Sequence, residues 1–231
     1  MHTETGFFER KNLFSVPIWR TRVPELDAHH EEILAFFTHM WESNTLQRDQ
    51  NGYGYQTPSV LYKDDFLKQL PALKLLRQAF HTRVSKILKN RQNHSVHLPP
   101  DIYADMAWLL VQTNDAWVNG PWHDHAPALI SGCYYLQQPE TQIETEGALA
   151  FQRPGSVDPF VKQIQYIKPQ QGDFILFPSY LSHRPMPCPS ANQVRMSINM
   201  DAYVHWTHWD EKQGPTIHPD RYKQLVDDSL D

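Results

Sequence analysis

The stretch WHDHAPALISGCYYL, residues 122–136, sets His123, Asp124 and His125 side by side just ahead of an apolar run. Three adjacent side chains cannot all reach one ion from a regular backbone. In an extended chain residues i and i+2 share a face and i+1 points away, so the spacing predicts His123 and His125 together with Asp124 outside. Using Asp124 instead would need a bulge or turn inside the triplet, beside Pro121 and Pro127. A catalytic transition metal takes about three protein ligands and keeps other positions open. The natural third is His183 in FPSYLSHRPMP, at the end of another apolar strand. Further on, VRMSINM alternates Arg195 with Val194, Met196 and Ile198. An inward arginine needs an anion, and a bidentate carboxylate is its natural partner.

The elements that must position these residues change texture once along the chain. The first hundred residues read mostly helical after a short strand, NLFSVPIW. Ile33, Leu34, Phe37, Met40 and Trp41 recur at helical spacing, with Asp27 as N-cap. A second helix is expected from about Pro71 to Lys89, with Leu73, Leu76, Phe80, Val84, Ile87 and Leu88 as its stripe. NRQNHSVHLPP then breaks the pattern. From about residue 102 come eight short runs rich in branched and aromatic residues: IYADMAWLLVQ, DAWVNGPWHDH, ALISGCYYLQ, GALAFQ, QIQYIKP, GDFILFP, RPMPC and VRMSINMDAYV. Such runs, punctuated by Pro, Gly and Asn, predict a sandwich, jelly roll or small barrel. The polar remainder from His205 reads as a surface tail.

Composition narrows the function classes. The chain has 231 residues and a net charge of −5, from 21 basic and 26 acidic residues, which argues against a nucleic-acid groove. No run reaches the length of a membrane span, and MHTETGFFERKN has no signal-peptide core. With only Cys133 and Cys188, a disulfide framework is not expected and a reducing cytoplasm is the default location. Cys133 reads as a small core residue. His205, His208 and His218 fit a solvent-exposed tail better than a further metal site. Trp117, Trp122, Trp206 and Trp209 are candidate walls of a pocket, although packing explains each as well.

In the order His-x-His, SGCYYL, GDFILFPSYLSHRPMP and RMS, residues 115–204 resemble the iron(II)- and 2-oxoglutarate-dependent oxygenases. They are most like the 2OG-Fe(II) oxygenases that carry H-x-H followed by S-G-x-Y-Y, and LFSVPIW is similar to the start of those proteins. The resemblance implies a mainly β chain with α elements: a double-stranded β-helix, or jelly roll, with N-terminal helices packed on it. One domain would then hold a mostly helical part (1–100), the β-helix core (101–204) and a C-terminal tail (205–231).

The same resemblance implies Fe(II), 2-oxoglutarate and O2 as cofactor and cosubstrates, with His123, His125 and His183 on the metal. Arg195 and Ser197 match the R-x-S pair that binds the distal carboxylate of 2-oxoglutarate. Tyr135 matches a tyrosine that supports that carboxylate, and Asn119 is a further candidate contact. Pro187 fits a structural H-x-x-x-P ending. Position 125 departs from the wider superfamily, which puts a carboxylate there. The outcome is a three-histidine face or a strand distorted to swing Asp124 inward. The implied reaction oxidises a C–H bond of a small-molecule or peptide substrate, with no nucleic-acid or membrane partner, and releases succinate and CO2. Two other readings stand beside it: a cupin-like three-histidine iron dioxygenase without 2-oxoglutarate, and a non-catalytic metal-binding jelly roll.

Overall fold

The computed structural model describes residues 16–91, 101–114, 120–155 and 162–205. The first part of the chain gives β1 (Trp19–Arg22), a 3-10 turn (Pro24–His29), α1 (His30–Glu42), β2 (Gln47–Arg48), β3 (Tyr55–Gln56), α2 (Asp64–Gln69) and α3 (Ala72–Arg91). Then follow β4 (Asp101–Gln112), β5 (Ile130–Gln137), β6 (Leu149–Gln152), β7 (Ile164–Ile167), β8 (Asp173–Pro178), β9 (His183–Pro185) and β10 (Arg195–His205). Every strand pair is antiparallel. A seven-stranded sheet runs β1-β8-β5-β10-β4-β3-β2 and a three-stranded sheet runs β7-β6-β9.

The central strands of the larger sheet are buried on both faces, and one face adds polar side chains to its apolar ones. On β10, Met196, Ile198, Met200 and Ala202 join Ala107, Leu109 and Val111 of β4, Tyr134 and Leu136 of β5, and Phe174 and Leu176 of β8 in one core. The helices complete it with Ile33, Phe37, Leu73, Leu76, Phe80 and Val84. The alternate residues of the same strands face the smaller sheet. Cys133, Tyr135, Ile175 and Phe177 meet Leu149 and Phe151 there, and Arg195, Ser197 and Asn199 line a cavity. The period-2 rule that sends apolar side chains under the helices thus sends the polar ones into the space between the sheets. Among the described residues, no helix is long and apolar enough to cross a membrane.

Several elements differ from the sequence expectations for local reasons. The first described strand begins at Trp19, and residues 12–15 of NLFSVPIW lie outside the described residues. Pro24 opens a 3-10 turn that contains Asp27, so α1 begins at His30 and Asp27 is not its cap. The second helix matches its stripe, but α2 and the two-residue strands β2 and β3 carry too short a pattern to be anticipated. DAWVNGPWHDH is not a regular strand. Residues 115–119 lie outside the described residues, and His123 forms an isolated bridge with His183. Within RPMPC only Arg184 and Pro185 belong to a strand, because prolines at 187 and 189 remove ladder donors.

Candidate metal centre

His123 and His183 are held by two backbone hydrogen bonds, His123 N–H to the His183 carbonyl (3.1 Å) and the reverse (2.9 Å). His125 N–H donates to the Ser179 carbonyl at 3.0 Å. These contacts keep the 123–125 segment extended at the edge of the smaller sheet, so the two histidines share a side without a full strand. Their rings gather with His183 at centroid distances of 5.2 Å (His123–His125), 4.4 Å (His123–His183) and 5.0 Å (His125–His183). One ligand nitrogen from each lies within 4.8 Å of the others, a spacing suited to one ion. Asp124 is exposed, and its carboxylate accepts the Ala126 N–H at 3.1 Å, capping the turn that follows.

Each Nδ1 has its own acceptor. His183 donates to the Leu181 carbonyl (2.9 Å). His125 donates to both oxygens of Asp201, at 2.9 and 3.0 Å. Tyr53 spends its hydroxyl proton on the Pro121 carbonyl, so its oxygen accepts from His123 at 2.8 Å. With all three protons assigned to Nδ1, the Nε2 lone pairs are left for a metal. Burial and the neighbouring His125 push His123 down to about 4, and burial with the other two rings holds His183 well below the usual histidine range. Both rings are therefore neutral at pH 7, as ligation requires. Burial pulls His125 down as well, but the Asp201 and Asp124 charges outweigh it and the net shift is upward.

The cavity continues from the histidines to Arg195, with a volume of about 450 Å³. Its shape comes from strand register. Arg195 lies opposite Gln112 on β4, Ser197 opposite Tyr135 on β5, and Asp201 opposite Ser131 on β5. Arg195 is 2% exposed, donates to Gln112 Oε1 (2.9 Å) and Tyr135 Oη (3.2 Å), and leaves its Nε–H without a partner. Among the described residues no carboxylate ion-pairs with it. A buried guanidinium with neutral neighbours is costly, and an anion entering the cavity offsets that cost. Ser197 Oγ is 3.4 Å from Asn199 Oδ1 on the same face.

The remaining residues singled out in the sequence divide clearly. Asn119 and Trp117 lie outside the described residues, as do Trp206, His208, Trp209 and His218. Trp122 packs under the Arg184 guanidinium at 4.6 Å. The consecutive tyrosines go to opposite faces: Tyr134 bonds His30 of α1 at 3.1 Å, and Tyr135 faces the arginine. Sequence reasoning missed Asp201, Tyr53 and Trp108, the last of which lines the cavity with its ring 5.4 Å from that of His125. Asp201 continues the Arg195, Ser197, Asn199 alternation and was detectable there. Tyr53 sits on a loop 70 residues from its histidine, with no pattern linking the two.

Residues 106–201 match the model of a family described as "Putative 2OG-Fe(II) oxygenase". No curated protein sequence matches the chain. Among solved structures, the chain is similar to a prolyl hydroxylase in complex with a hypoxia inducible factor peptide fragment, from Trichoplax adhaerens. The two share 13% identity at a TM-score of 0.56, covering 80% of this chain and 83% of that one. A Pseudomonas putida prolyl-4-hydroxylase aligns at 15% identity and TM-score 0.55, covering 82% and 93%. The epimerase SnoN of nogalamycin biosynthesis, in complex with Fe3+ and alpha ketoglutarate, aligns at 16% identity and TM-score 0.54, covering 89% and 93%. The two antiparallel sheets are accordingly those of a double-stranded β-helix.

Proposed function

We propose that the protein is a non-haem iron(II)- and 2-oxoglutarate-dependent dioxygenase with a three-histidine metal face, a reading supported by the match of residues 106–201 to a 2OG-Fe(II) oxygenase family model and by the gathered histidines. His123, His125 and His183 hold Fe(II) through Nε2, and Asp124 stays outside. Arg195 binds the distal carboxylate of 2-oxoglutarate, with its open Nε–H as the added donor and Tyr135 and Ser197 beside it. The observation that carries this reading is a buried arginine without an acid, in the same cavity as three gathered imidazoles. The donor set fits: two rings are neutral and all three Nδ1 positions are committed to acceptors.

When bound, iron and 2-oxoglutarate together supply O2 activation and oxidation of a substrate C–H bond, with succinate and CO2 as coproducts. The chain's own residues do the rest. Tyr53, Asp201 and the Leu181 carbonyl orient the ligands, and Arg195 fixes the cosubstrate in one pose. Phe177, packed on His183 at 4.6 Å, and Leu149 keep part of the cavity dry. The substrate is a small molecule or a peptide, received in the cavity whose lining includes Trp108 and Thr57–Ser59.

The test is succinate release from 2-oxoglutarate by Fe(II)-loaded protein in air, across a panel of amino acids, peptides and small metabolites. Iron-dependent succinate, lost in His183→Ala, is the expected result. Oxygen uptake without succinate would replace the proposal with an iron dioxygenase that binds its own substrate's carboxylate at Arg195. No oxygen uptake with reduced iron would leave a non-catalytic metal protein.

A further inference from the structure

The wider superfamily carries one negative charge on the metal through a carboxylate ligand. His123, His125 and His183 carry none, so an ion among them would keep its full charge. Their supports are unequal. His123 leans on a phenol and His183 on a peptide carbonyl, both neutral, whereas His125 alone leans on a carboxylate. His125 is also the residue at the position where the carboxylate ligand would stand. Asp201 is 5% exposed, and its two oxygens lie 2.9 and 3.0 Å from the same Nδ1. Ser131 Oγ–H donates to it at 2.6 Å, and among the described residues no lysine or arginine ion-pairs with it. A buried carboxylate without a cation is expensive to maintain.

We propose that Asp201 supplies, from behind His125, the negative charge that a ligand carboxylate supplies directly, so that His125 is the electron-rich arm of the three-histidine face. The inference rests on the metal reading given above. Asp201 is a positioning residue: it touches His125 and no reacting atom. Accepting a strong hydrogen bond from Nδ1 raises the donor strength of Nε2 and lowers the effective charge of the ion by a route one ring long. Asp201 thereby restores the charge count of the usual site, and Ser131 sets how much of that charge reaches the ring.

Anaerobic titration with Co(II), followed by its visible absorption, and the Fe(III)/Fe(II) potential of the loaded protein test the assignment. Asp201→Asn keeps an oxygen acceptor for Nδ1 and removes the charge. It should bind Co(II) about 10- to 100-fold more weakly, with a potential shifted positive. Ser131→Ala keeps the charge and removes the hydrogen bond that draws on it, so its potential should shift negative. Opposite shifts in the two variants support the proposal, because a merely structural role would loosen both sites alike. Same-direction shifts, or an Asp201→Asn protein equal to wild type in affinity and potential, overturn it. If Asp201→Asn does not fold, the sign of the Ser131→Ala shift alone decides. A wild-type protein that binds no Co(II) would instead sink the metal reading itself.

Discussion

At the scale of single residues, the site separates side chains that adjoin in sequence. Asp124 lies between two proposed ligands, yet it is exposed and caps a turn. His125→Ala should therefore lose stoichiometric iron, and Asp124→Ala should keep it, both read by metal analysis of the purified proteins. Iron retained in the first and lost in the second would mean that the backbone bends at the metal. Arg195→Leu should cost the cosubstrate about 1.5–3 kcal/mol of charge-assisted hydrogen bonding. The measure is the weak visible charge-transfer band of anaerobic protein with Fe(II) and 2-oxoglutarate, which should need roughly ten- to hundredfold more 2-oxoglutarate to appear. The alternation in VRMSINM made the inward arginine legible, since strand period maps directly onto face, whereas Ser197 was singled out only by the family resemblance. The carboxylate at 201 belongs to the same alternation but chelates nothing itself, so no ligand spacing announced it.

Elements explain what no single residue could. The glycine of SGCYY is needed because the rings of Phe80 on α3 and Phe174 on β8 close over it. A Cβ on Gly132 would lie 2.9 Å from the Phe174 ring and 3.0 Å from Phe80. Gly132→Val should destabilise by about 1–3 kcal/mol through overpacking, seen as a lower urea midpoint with an unchanged slope. The β2–β3 hairpin is built around Asp49, whose carboxylate accepts the backbone N–H groups of Asn51 (3.0 Å) and Tyr53 (3.1 Å). At its foot Gly54 has φ +141° and would place a Cβ 2.2 Å from the Val111 carbonyl. The hairpin exists to carry Tyr53 to His123, so Tyr53→Phe should weaken Co(II) binding about tenfold while circular dichroism stays native. Two-residue strands held by a side-chain carboxylate leave no hydrophobic period, which is why this element was not legible in the sequence. The long amphipathic α3 was, because its stripe from Leu73 to Leu88 spans about four turns.

For the whole molecule, the contrast between the two faces of the large sheet decides what stabilises what. The helical face is packed and apolar, so it holds without help. The inner face keeps a buried guanidinium and a carboxylate, the smaller sheet and its edge bring three imidazoles to the same open cavity, and that side gains from being filled. A metal present at one hundred times its dissociation constant adds about 2.7 kcal/mol, which for a chain of this size raises Tm by roughly 5–10 °C. Differential scanning fluorimetry with Co(II) should show that rise in wild type and none in His183→Ala. The eight short β runs made the β class readable, whereas the division into sheets of seven and three strands depends on non-local pairing that no local pattern encodes.

Cross-strand pairing fixes which side chains of β10 face the cavity. Arg195 meets Gln112, Ser197 meets Tyr135 and Asp201 meets Ser131 through a single alignment of that strand. A slip of one residue would turn all the polar groups toward the helices and bring Met196, Ile198 and Met200 into the cavity. Such a molecule could keep its secondary structure and much of its compactness, so ordinary spectroscopy would pass it as native. It could not assemble the imidazole supports. Metal bound per chain in a refolded sample is therefore a census of molecules whose last strand has found its proper partners.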